Sequence, residues 1–473
     1  MSNPIGRLVR RLVDLRDGEG AAVIWSSAYF LLILTSYYIL RPIRDEMGRL
    51  GGTRNLAWLF TGTLIGMLLL HPIFTSFVTR FPRRKFIPFI YRFFIANLVI
   101  FFALFHLAND AQTVWVGRIF FIWVSIFNLF VVSVFWSFMT DIYRPEQSKR
   151  LFGVLAVGGT VGAIIGSSIT GALVAPLGPV NLLLVSALFL EIACRAAGGL
   201  DRQEERLAGA ALTEAAAKRS PVGVAASVPV AAVSAHGTAP ARNQGGDVIG
   251  GGVFDGIRHV MASPYLLGIA VLMLFFTISS TFLYFQQVQI ADQAFGANSQ
   301  GSIQFFARVD WWVNTVTLLT QLFITGRLMK WLGVGPSLAY LPFISVLGFG
   351  ALALMPTLTA VVVLQVLRRA GNFAIQRPAR EVLYTVLART DKYKSKNFND
   401  TFVYRVGDQV GAWSNTLLTA QGFGIAATAG AMVPFSAVWL FLALWLGWRY
   451  RAIQHGRDTA ARSPALKAAE ELG

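Results

Sequence analysis

Runs of about 20 mostly apolar residues, the length that crosses a bilayer as a helix, recur along this chain from near residue 21 to near residue 449. No other feature constrains the fold as strongly. Inside hydrocarbon each backbone N–H and C=O must find a partner within its own segment, and a helix provides that. The spacing predicts twelve spans, near 21–41, 56–78, 86–107, 115–140, 151–175 and 179–199. After a break, further spans are expected at 263–290, 305–326, 335–355, 358–388, 400–427 and 429–449. Only 14% of the 473 residues are charged, against about 25% in a soluble protein. The expected class is therefore all-α and polytopic, with the lipid bilayer as solvent.

The formal charge is +17. In a soluble protein this would suggest nucleic acid, but no basic patch with interleaved aromatics lies in a soluble segment. Lys and Arg gather instead in loops on one side. Arg7, Arg10, Arg11 and Arg16 fall there, as do Arg80, Arg83, Arg84 and Lys85, then Arg144, Lys149 and Arg150. Such loops face the cytoplasm, so both termini are expected inside an inner (plasma) membrane, in a monomer. The segment 41–55 breaks the pattern, carrying Arg41, Arg44, Arg49 and Arg54 on the outer side. The first 20 residues have no apolar core of a signal peptide. The single cysteine, Cys194, leaves no internal disulfide and no Cys-rich metal site.

Residues 201–252 are rich in Ala, Val, Pro, Gly and Ser, lack aromatics, and are long for a loop. They are expected to form a disordered cytoplasmic linker between an N-terminal six-helix bundle, 1–200, and a C-terminal bundle and tail, 253–473. The two halves look like repeats. Val157-Gly158-Gly159-Thr160-Val161-Gly162-Ala163 matches Val406-Gly407-Asp408-Gln409-Val410-Gly411-Ala412. The basic loop at Thr79–Arg84 matches Gly326–Gly333 at a similar offset. Two pseudo-symmetric six-helix bundles joined by a long inner loop resemble the major facilitator superfamily.

Charges inside spans are costly and usually face a protein-lined cavity. In the tenth span Gln365, Arg369, Asn372 and Gln376 fall at i, i+4, i+7 and i+11, one helix face. Arg368 and Arg369 lie about 10 residues in, roughly 15 Å, near the midplane, where they bind a ligand or are neutralised by an acidic partner on another helix that holds the bundle together. On the first helix Arg41, Arg44 and Asp45 share a face, and Pro42 is expected to kink or end the helix there. Arg41 can pair with Asp45, leaving Arg44 for a ligand. Headgroup anchoring at the outer rim is the alternative role for this group. Arg405, Asp408, Gln409 and Asn415 form a third cluster, with a pair between Asp408 and Arg369 as one reading of it. Asp141 closes the fourth span, as a gate or as an interfacial charge. Glu191 and Arg195 are spaced to pair. The five histidines show no metal-ligand spacing. No phosphate-binding loop, nucleophile elbow or carboxylate dyad is present, so neither an enzyme nor a cofactor is expected.

Three stretches resemble the ATP:ADP antiporters of plastids and intracellular bacteria. Arg41-Pro42-Ile43-Arg44-Asp45 is similar to that family's Arg-x-x-Lys-Asp. Phe135-Trp136-Ser137-Phe138, then Asp141 and Lys149-Arg150, is similar to its Phe-Trp-x-Phe with a following acid and Lys-Arg. Pro378-Ala379-Arg380-Glu381, Tyr384, Lys394, Lys396 and Gly407-Asp408-Gln409-Val410-Gly411 resemble its later motif, with Asp408 where the family carries Lys. The region Tyr284-Phe285-Gln286-Gln287 shows no counterpart of the family's glutamate in the seventh and eighth helices. The resemblance implies alternating-access exchange of an anionic, phosphate-bearing solute. Arg44, Arg368, Arg369, Asn372 and Gln376 are the candidate binding residues. Arg41, Asp45, Asp141, Arg405 and Asp408 are the candidate gating or coupling residues. An organic-anion or metabolite:proton symporter using Asp141 or Asp408, and a non-transporting membrane scaffold or sensor, are the rival readings.

Overall fold

In the computed structural model the described residues are 19–143, 145–218, 260, 261, 263–323, 331, 333–387, 395, 396 and 398–470. They form twelve helical segments. The N-terminal half comprises α1 (Gly20–Leu50), α2 (Leu56–Arg80), α3 (Arg83–Leu107), α4 (Asp110–Ile142), α5 (Pro145–Leu177) and α6 (Asn181–Lys218). The C-terminal half begins with α7 (Pro264–Phe295), α8 (Ser299–Phe323) and α9 (Val334–Leu354). There follow α10 (Leu358–Gly371), which runs through a π turn into Arg377–Leu383, then α11 (Tyr404–Ala420) and α12 (Ile425–Glu470). Side chains cap some of the helix starts. Asn109 and Gln112 form a capping box ahead of α4, and Ser263 caps α7 with Pro264 in its first turn.

Ten helices among the described residues are long and apolar enough to cross a membrane. The chain is thus a multi-pass membrane protein. The two segments outside that set are α8, with Arg308 and Asp310, and α11, with Arg405 and Asp408. These two pack against the opposite half, α8 on α5 and α1 and α11 on α2, so their polar faces are turned away from lipid.

Two expectations about extent need correction. The first 18 residues of the expected linker are helical, because α6 continues to Lys218. This stretch is rich in Ala, Glu, Arg and Leu, all strong helix formers. The 38-residue α6 is about 57 Å long, beyond the ~30 Å core, so its end projects out of the membrane. The rest of the expected linker, and the repeat loop at 324–330, lie outside the described residues. The second concerns Pro42, where a kink or an end is expected: α1 does not end there but runs on as helix to Leu50.

The glycine repeat reappears in three dimensions. α5 lies on α1 so closely that a Cβ on Gly158 would come 2.8 Å from the Ser27 carbonyl oxygen, and one on Gly162 would strike the Leu31 backbone. α11 lies on α7 in the same manner, with a Cβ on Gly411 coming 3.0 Å from Thr281 Cβ. Matching glycines therefore make matching helix contacts in the two halves, as in small-residue packing of membrane helices.

The apolar cores define how the halves meet. One cluster lies in the N-terminal half, around Tyr29, Phe127 and Phe135, joined by Ile303 of α8, and another in the C-terminal half, around Tyr265, Leu383 and Trp439. A third is shared: Leu56, Leu59 and Phe121 pack with Phe282, Phe285 and Val288. These residues lie toward the face away from the N-terminus, and there the halves close on one another.

Candidate functional site

Between the halves lies a cavity of about 630 Å³. It is lined by Phe30 and Tyr37 of α1 and Trp136 of α4, and across from them by Gln321 of α8, Arg377 after the π turn and Tyr404 of α11. Several of these sit close to helix ends on the face that carries the N-terminus, so the cavity extends toward that face. The other face is shut. Arg49 donates to Glu46 on its own helix at 2.7 and 2.8 Å and, across the halves, to Asp292 Oδ1 and the Gly296 carbonyl, each at 2.8 Å. Thr61 of α2 donates to Gln409 of α11 at 2.9 Å, and the rings of Trp58 and Trp413 meet edge to face at 4.8 Å.

At the centre of the cavity is a carboxylate that the sequence reading did not select. Asp310 Oδ1 accepts from Arg369 of α10 at 2.8 Å and pairs with Arg41 of α1 at 3.0 Å. It is 2% exposed, and its Oδ2 has no partner among the described residues. Asp310 and Arg369 each stand 11 residues from the N-terminal ends of their helices, about 16 Å and near mid-membrane. Arg41, joined to them, shares that depth. It belongs at the centre of the cavity, not at the outer rim.

The pairing expected on α1 is therefore exchanged. Arg41 reaches Asp310, while Arg44 binds its neighbour Asp45 through Nε at 3.0 Å and Nη2 at 2.6 Å. Tyr284 of α7 adds a hydrogen bond to Asp45 at 3.1 Å, and the Arg44 guanidinium lies over the Phe121 ring. Asp45 lines the cavity and Arg44 does not. Arg368 and Arg369 both line it, as does Asn372. Arg368 is buried and donates to Ser279 Oγ at 2.8 Å and Ser280 Oγ at 3.2 Å, with the rings of Phe349 and Trp439 nearby. No carboxylate pairs with it among the described residues.

Gln376 is displaced from the face on which the sequence put it. The α-helical count assumes an unbroken helix, but residues Asn372–Gln376 form a π turn, closed by the Arg377 N–H on the Asn372 carbonyl. A π turn holds one extra residue, so each later side chain is rotated backward by one position. Gln376 turns into the protein, 2% exposed, and Arg377 takes its place in the cavity. Arg377 is exposed there and has no ion pair among the described residues.

The third polar cluster divides. Asp408 pairs with Arg405 on its own helix at 3.5 Å and accepts from Thr281 at 3.4 Å, so it does not meet Arg369. Neither Asp408 nor Arg405 lines the cavity. Gln409 serves the contact between halves and Asn415 is buried. Asp141 is exposed at the end of α4, outside the cavity and without an ion pair among the described residues. Glu191 and Arg195 do pair, at 3.0 Å.

The lining charges are Arg41, Arg368, Arg369 and Arg377 against Asp45 and Asp310, four positive and two negative. The C-terminal wall carries three of the arginines, while the N-terminal wall is aromatic, with Phe30, Tyr37, Tyr38 and Trp136. Guanidinium groups bind phosphate and carboxylate through planar, paired hydrogen bonds.

No protein-family profile matches the chain. Among curated proteins, ADP,ATP carrier protein 1 of Chlamydia trachomatis serovar D is 24% identical over 365 residues, 70% of this chain and 64% of the carrier. The match thus spans less than two thirds of that carrier's length. Among solved structures, a bacterial homologue of the human lysosomal transporter Spinster, inward-facing and unoccupied, superposes with a TM-score of 0.51 at 14% identity. It covers 93% of this chain and 98% of that one. An auto-inhibited peptide transporter of the POT family gives 0.55 at 13% identity, with 91% and 97% covered. These likenesses establish the fold, two six-helix bundles of the major facilitator type. Each of these similar proteins is a carrier or transporter.

Proposed function

We propose that this protein is an alternating-access secondary transporter of an anionic, phosphate-bearing solute, and that it works by exchange, as an ATP:ADP antiporter does. The observation that carries the proposal is the mid-membrane cavity between two pseudo-symmetric halves with two more arginines than carboxylates on its wall. The likeness to an ADP,ATP carrier supports the same substrate class. The basic loops on the N-terminal face support a cytoplasmic N-terminus and C-terminus in the inner membrane, which makes the present state open to the cytoplasm. Residues 1–200 and 253–473 then act as the two moving halves.

In this reading Asp310 holds the empty site. It neutralises Arg41 from one half and Arg369 from the other, so it ties the halves together at the level of the substrate. An incoming phosphate competes with the carboxylate for both guanidiniums. Arg368 and Arg377 add charge that no carboxylate among the described residues pairs with. A carrier whose resting state is tied in this way crosses more readily loaded than empty, because a ligand shifts such an equilibrium only through its unequal affinity for the two states. Exchange is the expected result.

The test is uptake of labelled ATP, ADP and phosphate into proteoliposomes preloaded with each of them or with none. Exchange predicts uptake that depends on an internal anion and is abolished by Arg369→Ala. The proposal fails if no nucleotide, phosphate or phosphate ester moves and Arg369→Ala alters transport of nothing tested.

A further inference from the structure

Far from the cavity, three charged side chains stand on the outside of the N-terminal half. Arg92 of α3 and Arg195 of α6 flank Glu191 of α6. Arg195 Nε donates to Glu191 Oε1 at 3.0 Å, and Arg92 Nε lies 3.7 Å from Oε2. The arginine side chains are 64% and 78% exposed. None of the three lines the cavity.

Their neighbours identify the medium they face. Phe89 and Phe93 on α3, and Leu188 and Ile192 on α6, are exposed on the same surface. Exposed Phe, Leu and Ile at this density on a membrane span face acyl chains. A guanidinium set beside them is drawn to an anion. One carboxylate serves two arginines, so a positive charge is left over. Lys85 lies seven residues before Arg92, on the same stripe of α3 and nearer the N-terminal face, and is also exposed. The stripe thus leads from the interface down to the pair.

We propose that the groove between α3 and α6 binds the phosphate headgroup of an anionic phospholipid. Arg92 and Arg195 would grip it, with Lys85 above and Glu191 holding the two guanidiniums apart when the groove is empty. A bilayer lipid fits this place better than a soluble anion. The exposed Phe89, Phe93, Leu188 and Ile192 offer its acyl chains a surface, and the basic stripe offers its phosphate a complementary charge. The proposal is independent of what the central cavity carries.

The test uses the purified, delipidated full-length protein, with retained lipid counted by native mass spectrometry. Phosphatidylglycerol, phosphatidylcholine and glycerol 3-phosphate are titrated separately. Phosphatidylglycerol should be retained at a saturable site. The double variant Arg92→Gln/Arg195→Gln should weaken that retention by about tenfold or more. Equal retention of phosphatidylcholine overturns the charge argument, and equal binding of glycerol 3-phosphate overturns the lipid argument. Unchanged retention in the double variant overturns the site. Should that variant not fold, Glu191→Gln decides the matter. Removing the competing carboxylate should tighten phosphatidylglycerol binding, and unchanged or weaker binding is evidence against the groove.

Discussion

At the scale of single residues, Asp310 and Arg377 separate two kinds of charge in the cavity. Asp310 is buried and shared. Removing one partner of a buried ion pair costs about 3–5 kcal/mol, because the other charge is left without compensation. Asp310→Asn should therefore lower the unfolding temperature clearly in detergent. Adding Arg369→Gln to Asp310→Asn should cost less than Arg369→Gln costs alone, since the pair is already broken. Strictly additive losses would mean that the 2.8 Å contact contributes nothing to stability. Arg377 is exposed and unpaired among the described residues, so Arg377→Gln should leave thermal unfolding within about 0.5 kcal/mol of the parent. It should raise the KM for an anionic substrate about tenfold or more, the size of one charge-assisted hydrogen bond. A transport assay beside a melting curve tests both halves of that statement. Much of this chemistry was legible in the sequence. Arg368 and Arg369 stand out because charges in spans are rare, and their depth follows from the helix rise. Asp310 was equally visible as a lone carboxylate in the eighth span, beside Arg308. Its partnership with Arg41 was not, since ion pairs between helices depend on how the helices are arranged, and sequence neighbours such as Asp45 present the nearer option.

At the scale of the element, the π turn of α10 decides which side chains line the cavity. Helical periodicity selected the correct face as far as Asn372 and failed one turn later, because nothing in Asn372-Phe373-Ala374-Ile375-Gln376 announces an extra residue. Deleting Ala374 should convert the π turn to ordinary helix while keeping the downstream facing, so Arg377 should remain in the cavity. Deleting Val363, in the regular part of α10, should instead rotate everything before or after it by about 100° and disrupt the site. Labelling of a cysteine placed at position 377 by a water-soluble maleimide reads the difference, with Cys194 replaced. Packing of α5 on α1 gives a second comparison. Gly162→Ala places a methyl group against the Leu31 backbone, whereas Gly153 on the same helix has nothing within 4 Å. Gly162→Ala should lower the melting temperature. Gly153→Ala should hold or raise it, by up to the ~1 kcal/mol that Ala gains over Gly in a helix. The repeat that suggested two halves was legible for the same physical reason: only glycine permits such an approach, so the spacing recurs wherever the contact recurs.

At the scale of the whole molecule, the halves share an apolar core toward the face away from the N-terminus, while the cavity parts them toward the N-terminal face. That asymmetry is what a molecule arrested in one of two states looks like. To open the far side, the protein must part Leu56, Leu59 and Phe121 from Phe282, Phe285 and Val288, and it must break the bond from Arg49 to Asp292. The N-terminal half gives that shared core only Leu56, Ala57, Leu59 and Phe121 as buried members, and the charged latch has a half-exposed acceptor in Asp292. Packed interfaces of this kind move between discrete arrangements and do not deform smoothly. A covalent tie across α2 and α11 should therefore stop turnover without blocking the site itself. With Cys194 replaced by Ser, Trp58→Cys and Trp413→Cys put thiols where the two rings now meet at 4.8 Å. Joining them with a short cleavable bifunctional maleimide should abolish uptake into proteoliposomes and leave substrate binding to the detergent-solubilised protein intact. Cleaving the linker should restore uptake. Uptake that continues while the link is in place would show that the halves need not separate on this face, and the rocking mechanism would then be wrong for this molecule.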